Sequence, residues 1–267
     1  MLQTPTYRPC PACASDQASP IAQYSRDEWV VAACEVCEFV FLRNPPAYEA
    51  LEEDFAWEKT YVEKKNASKG STWFSPIGRW LKEKTGLYGR GNRRIMQFRR
   101  WFKDGKVIDV GCGTGTRIIA PMTPYGIELS TALHAQADAR MKARGGYCVH
   151  GPGAEAIWEF PEGAFDGIIM NSYLEHEVDM LRVMAGARRA LKPTGKLFVR
   201  VPNFASLNRR VIGKTWCGFR YPDHVNYFTP KSLARVAGQT GFTLKITNPL
   251  TLPIDDNINA LLSPTPA

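Results

Sequence analysis

Apolar positions along this chain follow two rhythms, and the places where one yields to the other outline its elements. KVIDV from Lys106 to Val110 is a short, nearly unbroken apolar run, and FDGIIMN from Phe165 to Asn171 and GKLFVRVPN from Gly195 to Asn203 repeat the pattern. Such runs are strands buried on both faces, as a parallel sheet requires. PYGIELS supplies another strand between the first two. Between FDGIIMN and GKLFVRVPN, Leu181, Met184 and Leu191 recur at helical spacing. Strands alternating with helices predict an open, mostly parallel α/β sheet. Upstream, Ile77, Trp80, Leu81 and Lys84 share one helical face, and Ile95, Phe98 and Phe102 another. IAQY, EWVVAA and EFVFLRNPP read as short strands near the amino terminus, the last stopped by Pro45 and Pro46.

A chain of 267 residues with 44% hydrophobic content accommodates one large domain and a small appendage. The expected division is a ribbon over 1–45, a basic helical linker or lid over 46–104, the main domain over 105–250 and a tail over 251–267. No apolar run approaches the roughly 20 residues that span a bilayer, and no leader signature opens the chain, so the expected location is cytoplasmic.

Four of the seven cysteines form two CxxC pairs. Cys10 and Cys13 lie in RPCPAC, and twenty residues separate them from Cys34 and Cys37 in AACEVCEFVF. Two such knuckles supply four thiolates, a closed tetrahedral set for structural Zn2+, whereas a catalytic zinc keeps a position open for water. In a reducing compartment this spacing favours metal over disulfides.

KVIDV runs into glycines at 111, 113 and 115, which let the backbone turn tightly and approach a ligand where a helix opens. Asp109 precedes them, and GxGxG replaces the GxGxxG that cradles a pyrophosphate. Glu128 follows Gly115 by thirteen residues, where a carboxylate can accept hydrogen bonds from two ribose hydroxyls.

VIDVGCGTGT, YGIELS, FDGIIMNSYLEHEVD and LKPTGKLFVRVPN resemble the successive motifs of class I S-adenosylmethionine-dependent methyltransferases, over roughly residues 105–250. With the ribbon and YPDHVNYFTPKSLARVAGQTGF, the chain is similar to a subgroup of sugar- and polysaccharide-modifying enzymes that includes zinc-containing sugar C-methyltransferases. The implied fold is Rossmann-like. By position, Asp109, Gly111, Gly113 and Gly115 would line the donor's amino-acid and sulfonium end. Glu128 would hold the ribose, Asn171 would face the donor, and Tyr61 would reach it. Three departures stand out. The span from the glycines to Glu128 is about three residues short, so a clipped helix is expected. The usual adenine-reading acid is replaced near Pro152 and Ala154, leaving Glu155 or a backbone carbonyl. After FTLKITNPL so little chain remains that the last strand is expected to be short, absent or supplied by a partner.

Methyl transfer needs in-line positioning, and a base only where the acceptor must lose a proton. His176 follows the fourth strand in YLEH, and His224 lies after the fifth, flanked by Tyr221 and Asp223. The resemblance implies an acceptor cluster of Tyr, acid and His there, with Asp223 where Glu is usual. Each histidine also has a purely structural reading, at a helix start for His176 and beside Tyr227 and Phe228 for His224.

The net charge of +8 is concentrated between Trp57 and Asp104, where thirteen Lys or Arg face four acids. Such a strip meets phosphate on a small-molecule acceptor, on RNA or on an anionic membrane surface, or it is a solvated helix face. The expected acceptor is a nucleotide-linked or lipid-linked sugar. An rRNA or tRNA base is the first alternative, and a cofactor-binding scaffold without catalysis the second.

Overall fold

A computed structural model describes residues 7–46 and 90–266, and the side chains from residue 94 onward in the second span. Tyr61, the helix expected around Ile77–Lys84 and most of the basic segment lie outside the described residues. Helix α1 (Arg90–Phe102) leads into β4 (Lys106–Val110), after three ribbon strands, β1 (Ala18–Pro20), β2 (Val31–Cys34) and β3 (Val40–Leu42). Then come β5 (Thr123–Glu128), α2 (Thr131–Lys142), β6 (Cys148–His150), α3 (Gly153–Ala156), β7 (Phe165–Asn171), α4 (Met180–Ala190) and β8 (Leu191–Pro202). The chain finishes with α5 (Leu207–Ile212), β9 (Asn226–Tyr227), α6 (Pro230–Gln239), β10 (Phe242–Ile246) and β11 (Asn257–Pro264).

Seven strands form one sheet in the order β10-β11-β8-β7-β4-β5-β6. The run from β8 to β6 is parallel, as the unbroken apolar segments predict, and Val107, Ile108, Ile168, Ile169, Leu197 and Val199 are fully buried. Phe98 and Phe102 bring α1 onto this sheet against Phe198 and Gly167. The chain order reverses between β4 and β7, so their carboxyl ends frame the crevice in which open α/β sheets bind ligands.

In the ribbon, IAQY is not a strand: Ala22–Tyr24 form a 3-10 turn just after β1. Two expectations for the main sheet also need correction. The final strand is present and is no tail: β11 lies between β8 and β10 and pairs antiparallel with both. Its alternating burial explains why it is hard to see, since Ile258, Ala260 and Leu262 are buried while the residues between them are not. The second correction concerns 111–122, where turns replace the clipped helix altogether.

The ribbon makes a second, antiparallel sheet in the order β1-β2-β3-β9. Its fourth strand comes from far along the chain: Val40 pairs with Tyr227 and Phe41 with Asn226. The small module is therefore continuous, by main-chain pairing, with the connection that follows β8.

Candidate functional site

The donor side begins at the carboxyl end of β4. Gly111, Gly113 and Gly115 all have positive φ, of 68°, 57° and 71°, which disfavours any side chain. A Cβ on Gly113 would meet nothing, so this glycine faces open space, whereas one on Gly115 would press on Ala137 of α2. Glu128, at the end of β5, accepts from the Gly113 amide (2.7 Å) and from the Ser130 amide (3.0 Å). The acid and the glycine loop are thus held together as their spacing in the chain requires.

Asp109 is fully buried. One carboxylate oxygen accepts from Arg117, which the missing helix frees to turn inward, and the other has no hydrogen-bond partner among the described residues. Burial pushes this carboxyl up to about 6, against the opposing pull of Arg117. An orphaned buried oxygen, open space over Gly113 and a carboxylate at hydroxyl-binding distance from the loop fit the amino-acid and ribose parts of S-adenosylmethionine. Asn171 at the end of β7 accepts from Arg94 of α1 (3.0 Å), so the basic segment reaches the donor edge of the crevice. Glu155 on α3 pairs with Arg182 (2.9 Å) and is largely exposed.

Beyond β7 and β8 two histidines converge. The rings of His176 and His224 stand 4.7 Å apart, edge to face. His176 donates from Nδ1 to the Asp223 carbonyl (2.8 Å), and His224 donates from Nδ1 to the Gly218 carbonyl (2.8 Å). A carbonyl can only accept, so in each neutral ring the lone pair resides on Nε2. Burial, with the Arg220 charge adding to it, lowers the His176 pKa to about 4. Of the residues flanking His224, Asp223 pairs its carboxylate with Arg220 (3.0 Å), and Tyr221 donates its hydroxyl to the Tyr24 carbonyl in the ribbon. Both brace the loop.

Glu175, which the linear pattern does not single out although it adjoins His176, is 1% exposed and packs into this cluster. Burial raises its carboxyl to about 8. Arg200 on β8, which donates to the Ser172 hydroxyl (2.6 Å), and Arg220 provide the nearby positive charge. Arg8 is the other residue that sequence reasoning misses. It donates to the carbonyls of Leu42 (2.9 Å), Val178 (3.2 Å) and Val225 (2.7 Å) and to the Asn226 side chain (3.2 Å), tying the ribbon to the chain beside both histidines.

In the ribbon, Sγ of Cys10 lies 3.5 Å from that of Cys37, and Cys13 lies 3.5 Å from Cys34. All four sulfurs fall within 4.8 Å of one another. Tetrahedral zinc with bonds of about 2.3 Å places its sulfurs roughly 3.8 Å apart, so these four thiols fit it with little movement.

Sheet order, glycine loop and paired acid define a class I methyltransferase fold of the S-adenosylmethionine-using type. The chain belongs to the methyltransferase domain family, whose model matches residues 87–245. It is 30% identical to the ubiquinone biosynthesis O-methyltransferase of Methylococcus capsulatus over 52% of this chain, spanning 63% of that relative's length. It is 31% identical to the enzyme of the same name from Thiobacillus denitrificans, over 59% of this chain and 77% of that one. Among solved structures, the 1,6-didemethyltoxoflavin-N1-methyltransferase of Burkholderia thailandensis shares the fold with a TM-score of 0.52 at 16% identity, covering 94% of this chain and all of that one. An S-adenosylmethionine-dependent methyltransferase from Archaeoglobus fulgidus does so with a TM-score of 0.51 at 14% identity, over 69% of this chain and 98% of that one. Among the described residues no helix is long and apolar enough to cross a membrane.

Proposed function

We propose that this chain transfers the methyl group of S-adenosylmethionine to a hydroxyl oxygen of a small acceptor of the hydroxylated aromatic or quinol type. The carrying observation is the convergence of His176 and His224 beyond β7 and β8, on the same sheet edge as the glycine loop and Glu128. In this reading Asp109, Gly111, Gly113, Gly115, Glu128 and Asn171 hold the donor, and Glu155 serves its pairing with Arg182. His176 or His224 takes the acceptor's proton through Nε2, with Asp223 and Tyr221 positioning the loop. With Nδ1 donating to a carbonyl, each neutral ring presents its Nε2 lone pair to a proton, and burial keeps His176 unprotonated at pH 7 while making it a weaker base. The oxygen then attacks the methyl carbon, the carbon–sulfur bond breaks, and its electron pair neutralises the sulfonium. The names of the two relatives support oxygen as the nucleophile.

A nucleotide-linked or lipid-linked sugar is the second reading, and one observation favours it. The ribbon and the YPDHVNYF loop, whose combination carried the resemblance to sugar-modifying enzymes, share one sheet. An RNA acceptor draws no such support, and Arg94 of the basic segment is taken up by Asn171 at the end of β7. Zinc at Cys10, Cys13, Cys34 and Cys37 has a folding role in either case.

Incubation with trideuteromethyl donor and separate panels of catechols and quinols, nucleotide sugars and unmodified RNA distinguishes these readings by mass. Label on a catechol or quinol oxygen supports the first, and label on sugars alone overturns it in favour of the second.

A further inference from the structure

Arg200 carries a charge that nothing described so far balances. It stands near the carboxyl end of β8, opposite Asn171 on β7 and Asn259 on β11, so these three make a polar row across adjacent strands on one face of the sheet. The next row on that face, Ile169, Phe198 and Leu261, is the apolar one on which α1 packs. Arg200 therefore lies at the crevice edge, one strand further than Asn171 from the glycine loop. Its side chain is held in place: Nη1 donates to the Ser172 hydroxyl (2.6 Å), and the Ser172 amide donates to the Arg200 carbonyl (2.8 Å). Ser172 does this at a φ of 56°, in the left-handed region that a residue with a side chain seldom occupies unless its surroundings require it. Ser172 is the guanidinium's one hydrogen-bond partner among the described residues, and Nε is buried with none.

The charges around it do not cancel. Among the described residues no carboxylate comes within ion-pair distance of Arg200, and the other nearby cation, Arg220, is neutralised by Asp223 (3.0 Å). Asp255 attracts Arg200 from further off but is engaged by the Asn248 side chain (3.1 Å) and the Asn257 amide (3.0 Å). Burial raises the Glu175 carboxyl to about 8, so at pH 7 it is mostly uncharged, and His176 is neutral. One positive charge is left over, on a guanidinium whose own charge burial disfavours. We infer that Arg200 is a specificity-determining residue of the acceptor site and receives a carboxylate carried by the hydroxylated aromatic acceptor. This inference rests on the acceptor class proposed above. A single leftover charge matches a monoanion, whereas a phosphate ester of nearly two charges would need a second unpaired cation. With Nη1 on Ser172, the remaining N–H groups are the donors that carboxylate oxygens need. Glu175 joins this position to the histidines: its carboxyl lies within 4.8 Å of a ring nitrogen of each and within electrostatic reach of Arg200. A carboxylate at Arg200 and a hydroxyl at the imidazoles thus share one pocket, while the glycine loop assigned to the donor's amino-acid end lies two strands away.

The test compares 3,4-dihydroxybenzoate with its methyl ester, which keeps the ring and both hydroxyls and removes the charge. With S-adenosylhomocysteine bound to the full chain, calorimetry should show the acid binding about 10- to 100-fold tighter than the ester in wild type. Arg200→Gln should bring that ratio to within about threefold, and Arg200→Lys should keep an intermediate one, because it restores charge without the planar fork. Affinity for S-adenosylhomocysteine, measured on the same samples, should stay within a few fold and reports both folding and the donor site. A wild-type protein that binds the acid no better than the ester, or binds neither, overturns the assignment without recourse to any variant. A preference that survives in folded Arg200→Gln overturns it too, and donor affinity falling in step with acid affinity would hand Arg200 to the donor's carboxylate instead. An intact acid-over-ester binding ratio with no methylation of any catechol would support Arg200 as the carboxylate site while overturning the oxygen-transfer reading.

Discussion

Arg8 offers the most direct perturbation of how the ribbon serves the acceptor side. Its guanidinium makes four hydrogen bonds, to the carbonyls of Leu42, Val178 and Val225 and to the Asn226 side chain. Bonds to a charged donor contribute about 1.5–3 kcal/mol each, an upper bound of roughly 6–12 kcal/mol for the set. Against this, burial lowers the Arg8 pKa from 12.5 to about 10, equivalent to about 3 kcal/mol of desolvation. Two of the bonds are long, and water can enter once the side chain is gone, so Arg8→Ala should destabilise the protein by about 3 kcal/mol, the low end of the remainder. For a chain of this size that lowers Tm by roughly 6–12 °C. Val225 adjoins His224, and Val178 lies two residues past His176, so a shift of about 1 Å in either would lower kcat by about 100-fold. Donor affinity should hold within a few fold, because the glycine loop and Glu128 lie on other strands. Arg8→Lys restores charge without the planar fork and should recover only part of the loss. Thermal denaturation, calorimetry with S-adenosylhomocysteine and steady-state kinetics read these out. Unchanged Tm and kcat in Arg8→Ala, or donor affinity falling in step with kcat, would refute the reasoning.

Glu128→Gln keeps the shape and removes the charge that ribose hydroxyls would meet, so donor binding should weaken by about 1.5–3 kcal/mol in calorimetry. Asp109 is held near pKa 6 by burial, so its folded state binds a proton more tightly than the unfolded chain, whose carboxyl titrates near 4. Stability of the donor-free protein should therefore fall as pH rises from about 4 to about 6 and level off above, and Asp109→Asn should remove that slope in denaturant titrations. Arg99 and Arg100 are exposed on α1, and reversing both to Glu should alter turnover by less than about threefold; a larger rise in acceptor KM would return the strip to substrate contact. Cys34→Ser with Cys37→Ser should abolish the ribbon's zinc in metal analysis, and with it turnover, because β9 pairs with β3 of the same module.

The sequence makes the parallel core legible because burial on both faces leaves no polar alternation to blur a strand: KVIDV and FDGIIMN read correctly, while the strand read as GKLFVRVPN already begins at Leu191, which the helical spacing assigns to the preceding helix. The same logic hides β11, one of whose faces carries Asn257, Asn259 and Ser263. Its run reads as a tail until β8 and β10 are seen on either side. The helix expected after the glycines fails for a local reason. TRIIAPMTP sets Pro121 and Pro124 close to the loop, each lacking an amide donor, and Arg117 finds a better partner in buried Asp109 than in solvent. The candidate donor residues are legible because loop and acid sit at a fixed spacing on neighbouring strands. The acceptor cluster was half legible, since both histidines announce themselves, whereas Glu175 reads as one more acid in LEHEVD until its burial is known.

Arg8 marks where one-dimensional reading stops, for its partner Val225 is 217 residues away and nothing in RPCPAC distinguishes it from a solvated arginine. The fold explains why such a contact exists. A two-residue strand such as β9 cannot hold itself, and the loop around it carries the buried imidazole of His224 and the paired Arg220 and Asp223. Adding that strand to the edge of a ribbon closed by four cysteines provides main-chain partners, while Phe39 against Phe228 and Tyr24 stacked on Phe219 supply the apolar contact. Gln239 reaching the Ala12 carbonyl and Lys231 paired with Glu38 extend the seam to α6. The connection after β8 and the four-cysteine module share one apolar core, in which Phe204, Trp216, Val225 and Tyr227 pack with Val31, Val40 and Leu42. The placement of His176 and His224 then depends on ribbon residues such as Arg8 and on the pairing of β3 with β9.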